Sequence, residues 1–114
     1  MIDVWATWCA PCIAGFKKIK LLETRFPGND LRFVFLCTES TIANWNNTIS
    51  KLNLKGQHYF LTSNQFADLQ KRFAINAFPT YILIGKDGRV YENLVIGETD
   101  VIVDKINEIL KVAP

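Results

Sequence analysis

An apolar run, Ile2 to Trp5, gives way within a few residues to Cys9-Ala-Pro-Cys12, after which Ile13, Phe16, Ile19, Leu22 and Phe26 recur at the spacing of one helix face. The chain therefore passes from strand to helix, and two cysteines stand at the junction. Pro11 is tolerated there because the amide it removes would have no intrahelical partner, and its fixed φ suits a first turn. Cys9 then takes the N-cap position, where unpaired amides and the positive end of the helix dipole stabilise a thiolate. The turn Pro27-Gly28-Asn29-Asp30 ends this helix, and Leu31 to Cys37 has the aromatic and β-branched content of a buried strand. Strand, helix from Pro11 to Phe26, and strand make a βαβ unit. Its right-handed crossover lays the helix over one face of a shared sheet.

The remaining pattern continues in kind. Thr41 is placed to cap a helix running to about Leu52, Gly56 breaks the chain, and His58 to Thr62 reads as a short strand. A further helix begins near Asn64, with Phe66, Leu69 and Phe73 on its apolar face, and reaches Ala77 before Phe78-Pro79 stops it. Tyr81 to Ile84 and Val90 to Ile96 flank Lys86-Asp-Gly-Arg89, which predicts a hairpin. Thr99 is placed to cap a last helix carrying Ile102, Ile106, Ile109 and Leu110. There is no internal repeat, low-complexity tract or linker composition, so residues 1–114 are read as a single domain.

Asp3-Val-Trp-Ala-Thr-Trp-Cys-Ala-Pro-Cys12, Phe78-Pro79-Thr80-Tyr81 ahead of an apolar strand, and the Gly85-Lys-Asp-Gly88 turn occur in the order seen in the thioredoxin superfamily. With them the chain most resembles the TlpA/ResA-like thiol:disulfide oxidoreductases, over nearly its whole length. The resemblance implies an α/β fold, a thioredoxin-like three-layer α/β/α arrangement with a central mixed sheet and a helix-strand insert in the middle. The first strand is expected to be central in that sheet, yet only Ile2 to Trp5 supply it, so it is truncated relative to the family. Reduced stability, or completion of the sheet by another copy, follows as an expectation, giving a monomer or a strand-exchanged dimer.

Residues 9 and 12 lie one helical turn apart on the same face, with Cys9 expected exposed at the tip and Cys12 deeper. Cys9 is the candidate nucleophile that forms a mixed disulfide with substrate, and Cys12 the resolving thiol that attacks it. The resemblance implies the reductive direction. It also implies that Asp3, six residues before Cys9, is a buried carboxyl that relays the proton of the resolving cysteine, with a pKa raised by burial; the plainer reading is a strand-end Asp meeting solvent. Pro79 is by resemblance a cis-proline facing the disulfide, freeing the backbone of Phe78 to pair with a substrate strand. Trp8, Phe78, Pro79 and Thr80 are the expected substrate contacts. Trp8 is taken as a partly exposed lid, and Trp5, Phe33, Phe35 and Tyr81 as core.

Two rivals compete with this chemistry. Cys9, Cys12, Cys37 and His58 supply the count of a Cys₃His zinc centre, but Cys37 and His58 lack the short-loop partners such centres use. They read more simply as a buried small hydrophobe and a strand-edge surface residue, so neither metal nor cofactor is expected. The other rival is a non-catalytic peptide-binding module or an inactive fragment. Thirteen basic against eleven acidic residues give a net charge of +2, and the scatter of the lysines argues against nucleic acid. No stretch is long and apolar enough to span a membrane, and no targeting segment precedes the first strand. The resemblance implies a periplasmic or cell-envelope home, with protein disulfides or thiols and an upstream electron donor as partners. The chain is accordingly expected to be an excised domain or truncated product.

Overall fold

In a computed structural model, which describes residues 1–112, Ile2–Trp5 (β1), Ala10–Arg25 (α1), Val34–Cys37 (β2), Ile42–Leu52 (α2), Gln57–Phe60 (β3), Ser63–Arg72 (α3), Thr80–Ile84 (β4), Val90–Tyr91 (β5) and Thr99–Leu110 (α4) follow in order. The five strands form one mixed sheet, β3-β2-β1-β4-β5. β1 runs parallel to β2 and β2 to β3, whereas β4 is antiparallel to both β1 and β5. β1 is thus central, as expected, although only four residues long.

Alternation along β1 divides the core. Trp5 faces a large cluster that also takes Phe16, Ile19 and Leu22 of α1 and Ile102, Ile106 and Ile109 of α4, with Trp45, Ile49 and Leu52 of α2 packed at its margin. Val4 points the other way, into a smaller cluster with Phe66 and Ile75. Helices therefore cover both faces, which makes the three-layer α/β/α arrangement. Trp5 meets Phe16 edge-on at 5.0 Å, and Phe16 in turn meets Phe35 at 6.0 Å, so an aromatic chain ties β1, α1 and β2 together.

Several boundaries differ from the sequence reading, each for a local reason. Residues 31–33 are not strand, because the register sets Val34 opposite Ile2 and leaves them nothing in β1 to pair with; Leu31 and Phe33 are still buried. The strand expected over His58–Thr62 is Gln57–Phe60, since Thr62 instead caps α3 in a reciprocal box with Gln65. That helix stops at Arg72 rather than Ala77: Phe73 turns extended and the chain folds back to bury Ile75 against Val4. β5 is two residues rather than seven, for Asn93 adopts a left-handed φ of 51° and breaks the ladder. Glu98, not Thr99, is the N-cap of α4, and its side chain makes no capping bond.

Gly56, ahead of β3, has φ of 118°, and a Cβ there would lie 2.6 Å from the carbonyl oxygen of Phe33 and 3.2 Å from the Phe35 ring. Gly56→Ala is therefore expected to destabilise the protein by about 2 kcal/mol or more, through strain and collision together. Urea denaturation checks this, and an unchanged midpoint would refute the close approach.

Candidate active site

Cys9 caps α1 with extended backbone, its sulfur accepting the Cys12 amide at 3.2 Å. Cys9 and Cys12 are joined in a disulfide, with Cα atoms 5.2 Å apart. The first amides of a helix have no carbonyl to serve, so a sulfur placed there takes a hydrogen bond and the favourable end of the dipole together. When the disulfide opens, the same placement stabilises negative charge on Cys9. The expected division of depth is smaller than the sequence suggested. Cys9 is 5 % exposed and Cys12 1 %, so Cys9 is not an exposed tip but the floor of a groove.

That groove encloses about 640 Å³, and Trp8, Cys9, Pro11, Glu39, Phe66 and Phe78 are among its walls. Trp8 projects into solvent at 63 % exposure. Its indole is nevertheless anchored: Nε1 donates to the Glu39 carbonyl at 2.8 Å, and the ring meets Phe78 edge-on at 5.8 Å. The Phe78–Pro79 peptide bond is cis. Pro79 itself is not among the groove's walls; Phe78 is, together with Asn76 and Ala77 of the loop leading to it. Thr80 belongs to the sheet instead, buried, with its hydroxyl donating to the Ala77 carbonyl at 2.6 Å.

Of the expected contacts, Trp8, Cys9 and Phe78 are thus brought together at the surface, while Cys12, Asp3 and Thr80 lie behind them. Sequence reasoning missed Glu39, Gln70 and Ile75. Gln70 and Ile75 enter only because α3 ends early and its following loop swings back toward the disulfide. Glu39 carries a left-handed φ of 51°, a backbone feature with no signature in the sequence.

Asp3 is 2 % exposed, and neither carboxyl oxygen has a hydrogen-bond partner. It does not meet solvent. Being two residues from Trp5 on the same strand, it faces α1, the helix that carries Cys12. Burial pushes its pKa up to about 8, since a lone carboxylate in an apolar setting loses its hydration and gains nothing in exchange.

The zinc alternative finds no support in this arrangement. Among the described residues no group of three or more His, Cys, Asp or Glu is placed to hold a metal. Cys37 is fully buried, and burial raises its thiol pKa, so it is a core residue. His58 is not a free surface residue: its ring stacks on Phe35 at 4.6 Å, and Nε2 sits 3.1 Å from the Leu54 carbonyl.

A family model described as thioredoxin-like matches residues 1–90, most of the chain, and the protein belongs to that family. Among curated proteins, a thiol-disulfide oxidoreductase ResA from Bacillus cereus is 25% identical over 97 residues, covering 85% of this chain and 54% of ResA. ResA of Bacillus thuringiensis subsp. konkukian is 23% identical over 93 residues, covering 82% and 52%. The chain therefore spans about half the length of the curated relatives it matches. Among solved structures, a candidate thiol-disulfide oxidoreductase from Bacteroides vulgatus is 34% identical with a TM-score of 0.72, covering 96% of this chain and 71% of that one. The thioredoxin domain of another Bacteroides vulgatus protein superposes more closely, with a TM-score of 0.82 at 16% identity over 96% of this chain and 77% of that one, a likeness of fold.

Burial of Asp3 couples folding to pH. Its folded pKa of about 8 lies above the ordinary 3.8, so between these values the folded state binds more protons than the unfolded chain, and stability falls as pH rises through that window. The contribution is fully present below about pH 4 and lost above about pH 8, to a total of up to roughly 6 kcal/mol. Oxidised wild type is therefore expected to lose stability relative to Asp3→Asn as pH is raised from 4 to 8, because the amide does not titrate. Parallel denaturation series of the two proteins measure the difference, and a difference independent of pH would contradict the buried, unpartnered carboxyl.

Proposed function

We propose that this thioredoxin-like chain is a thiol:disulfide oxidoreductase that reduces protein disulfides through Cys9 and Cys12. The observation that carries the reading is the Cys9–Cys12 disulfide at the N-terminus of α1, on the floor of an open groove. Opening that bond yields a thiolate where helix amides favour it, and the groove admits a partner sulfur to it.

In the reduced enzyme, Cys9 thiolate attacks a substrate disulfide. One Cys9–substrate bond forms, the substrate's own S–S bond breaks, and the substrate's leaving sulfur departs as thiolate. Cys12 then loses its proton, attacks Cys9 and expels the second substrate sulfur, leaving the enzyme oxidised by the two electrons the substrate has gained. Asp3 on the face toward α1 is the proposed acceptor of the Cys12 proton. A carboxyl with a pKa near 8 suits both directions of that transfer, since near neutral pH it exists in both forms. Trp8 and Phe78 line the entrance as an aromatic pair, and with the Phe78 backbone ahead of cis-Pro79 they are the proposed contacts for an extended substrate segment, Thr80 holding that bend from the sheet.

The reductive direction, the protein disulfide or thiol partners, the upstream electron donor and a periplasmic or cell-envelope site are inferred from kinship with ResA. Residues 1–114 are taken as one catalytic unit, acting as a monomer or a strand-exchanged dimer. No helix among the described residues is long and apolar enough to cross a membrane.

Insulin reduction driven by dithiothreitol tests the reading. Wild type is expected to be active, Cys9→Ser to fall to the uncatalysed background, and Cys12→Ser to accumulate mixed disulfides with proteins of a cell extract. An inactive wild type would remove the enzymatic reading, and a strongly oxidising potential in a redox titration would reverse its direction.

A further inference from the structure

Gly15 sits inside α1 one turn beyond Cys12, on the side that faces the sheet. A methyl group there would collide with the hydroxyl oxygen of Tyr81, whereas the next nearest atom, the ring carbon Cζ, would stand 3.8 Å away in ordinary contact. The glycine thus leaves a notch of one methyl group, and a single oxygen atom fills it.

The other end of the Tyr81 side chain starts directly across the sheet from Asp3, its register partner on β1. Opposed residues of an antiparallel pair point to the same face with Cβ atoms only about 5 Å apart. The phenol therefore rises beside the Asp3 carboxyl and ends on α1, spanning the gap from sheet to helix. Tyr81 is 8 % exposed. Asp3 also raises the Tyr81 pKa, after burial, which marks the two groups as electrostatic neighbours.

The setting leaves few other groups to consider. Phe35, opposite Asp3 on β2, is apolar, as are Ile102, Val103, Ile106 and Ile109, the buried residues of α4. Besides Asp3 and Tyr81, the titratable side chains buried on this side of the sheet are the cysteines: Cys9 and Cys12 on α1, and Cys37, which lies opposite Trp5 at the end of β2. His58 of β3 is half-buried and stacks on Phe35. Tyr81 is therefore one part of the wall between Asp3 and α1, and its hydroxyl sits where position 15 carries no side chain.

We propose that Tyr81, seated in the notch at Gly15, is the positioning residue of the Cys12 half-reaction, closing the Asp3 pocket toward α1 and so setting how tightly Asp3 holds its proton. The inference rests on the relay role given to Asp3 above. It assigns a purpose to two residues, a helix-interior glycine and a strand tyrosine, that catalysis by the cysteines alone does not require.

A mutant cycle tests it, because the collision involves only the hydroxyl. Gly15→Ala in the Tyr81 background must push the phenol aside and admit water. In the Tyr81→Phe background the same methyl meets nothing closer than the ring carbon. Alanine also favours the helix more than glycine does, so the substitution is not itself a helix breaker. Two readouts are taken: the proton affinity of Asp3 in the oxidised proteins, from NMR of its carboxyl carbon, and the pH midpoint of the Cys12 resolving step in single-turnover kinetics. Gly15→Ala is expected to weaken Asp3 proton binding at least about tenfold and to move the kinetic midpoint to lower pH by the same factor. Gly15→Ala with Tyr81→Phe is expected to match Tyr81→Phe alone within about twofold.

Equal effects of the methyl in both backgrounds, or no effect in either, would overturn the proposal. The relay is judged apart from it. If Asp3→Asn leaves the kinetic pH profile unchanged, the relay falls while the carboxyl titrations still report on Tyr81. If Asp3→Asn abolishes the titration and the cycle is flat, only the role of Tyr81 falls.

Discussion

A carboxyl group without a hydrogen-bond partner occupies the middle strand of the sheet, two residues from the indole that joins that strand to the first helix. Burial of this kind is unfavourable to folding wherever the group is ionised, and a protein assembled only for stability would place a valine there. The rest of the architecture holds the position nonetheless. β1 is paired on both edges, by β2 and by β4, and helices lie over both its faces, so Asp3 is held away from solvent by what packs around it. The four residues of β1 thus serve two ends: Ile2 and Val4 anchor the α3 side, while Asp3 and Trp5 face the redox helix. The strand at the fold's centre also carries the one carboxyl that is buried among the described residues.

Redox chemistry needs a sulfur that is reachable yet favoured as an anion, and these demands conflict, because sulfur reachable by a protein is usually reachable by water that levels its properties. The geometry at Cys9 resolves this by burial from most directions and access from one. The helix supplies an amide to the sulfur, the core supplies dryness behind it, and the groove opens the remaining direction. Trp8 is fixed at the rim of that opening by a backbone carbonyl as well as by the edge of Phe78, and most of the indole surface is left for a visitor. An exposed aromatic with a tethered polar end loses little conformational freedom on binding, and this lowers the entropic cost of recognition.

Much of this was legible in the sequence for a physical reason. Signals that rest on local backbone chemistry survive folding: the proline in the first turn of α1, the cysteine N-cap, the Gly85–Gly88 turn with its left-handed Gly88, and the cap at Thr41 all stand where the residue types placed them. Two failures are local, the cap of α3 at Thr62 and that of α4 at Glu98, and the others are tertiary. The helical pattern of Phe66, Leu69 and Phe73 continues locally, but burial of Ile75 against Val4 releases more free energy than another turn of exposed helix, so α3 ends early. Val90 to Ile96 has strand composition, yet only Val90 and Tyr91 pair in register with β4, and past Asn93 the single bond from the Leu94 amide to the Tyr81 carbonyl remains. His58 looked like an edge residue because its strand is an edge; the stack on Phe35 depends on the neighbouring strand's register, which no local pattern encodes.

The same distinction explains why the groove over the disulfide was only half visible. Residues flanking the cysteines and the proline were found because chemistry fixes their types, whereas Gln70, Ile75 and Asn76 belong to the groove only through the path of the α3–β4 loop. That loop is held by Ile75, whose side chain is buried in the smaller cluster, and by Gln70, whose amide donates to the Ile75 carbonyl at 3.3 Å. Its position is therefore set by Val4, on the face of β1 opposite to Asp3. One short strand fixes the buried carboxyl on the side of α1 and the loop that walls the groove on the other. On the proposed function, substrate recognition and proton transfer share a single mechanical reference, and a change that shifts β1 must alter both together.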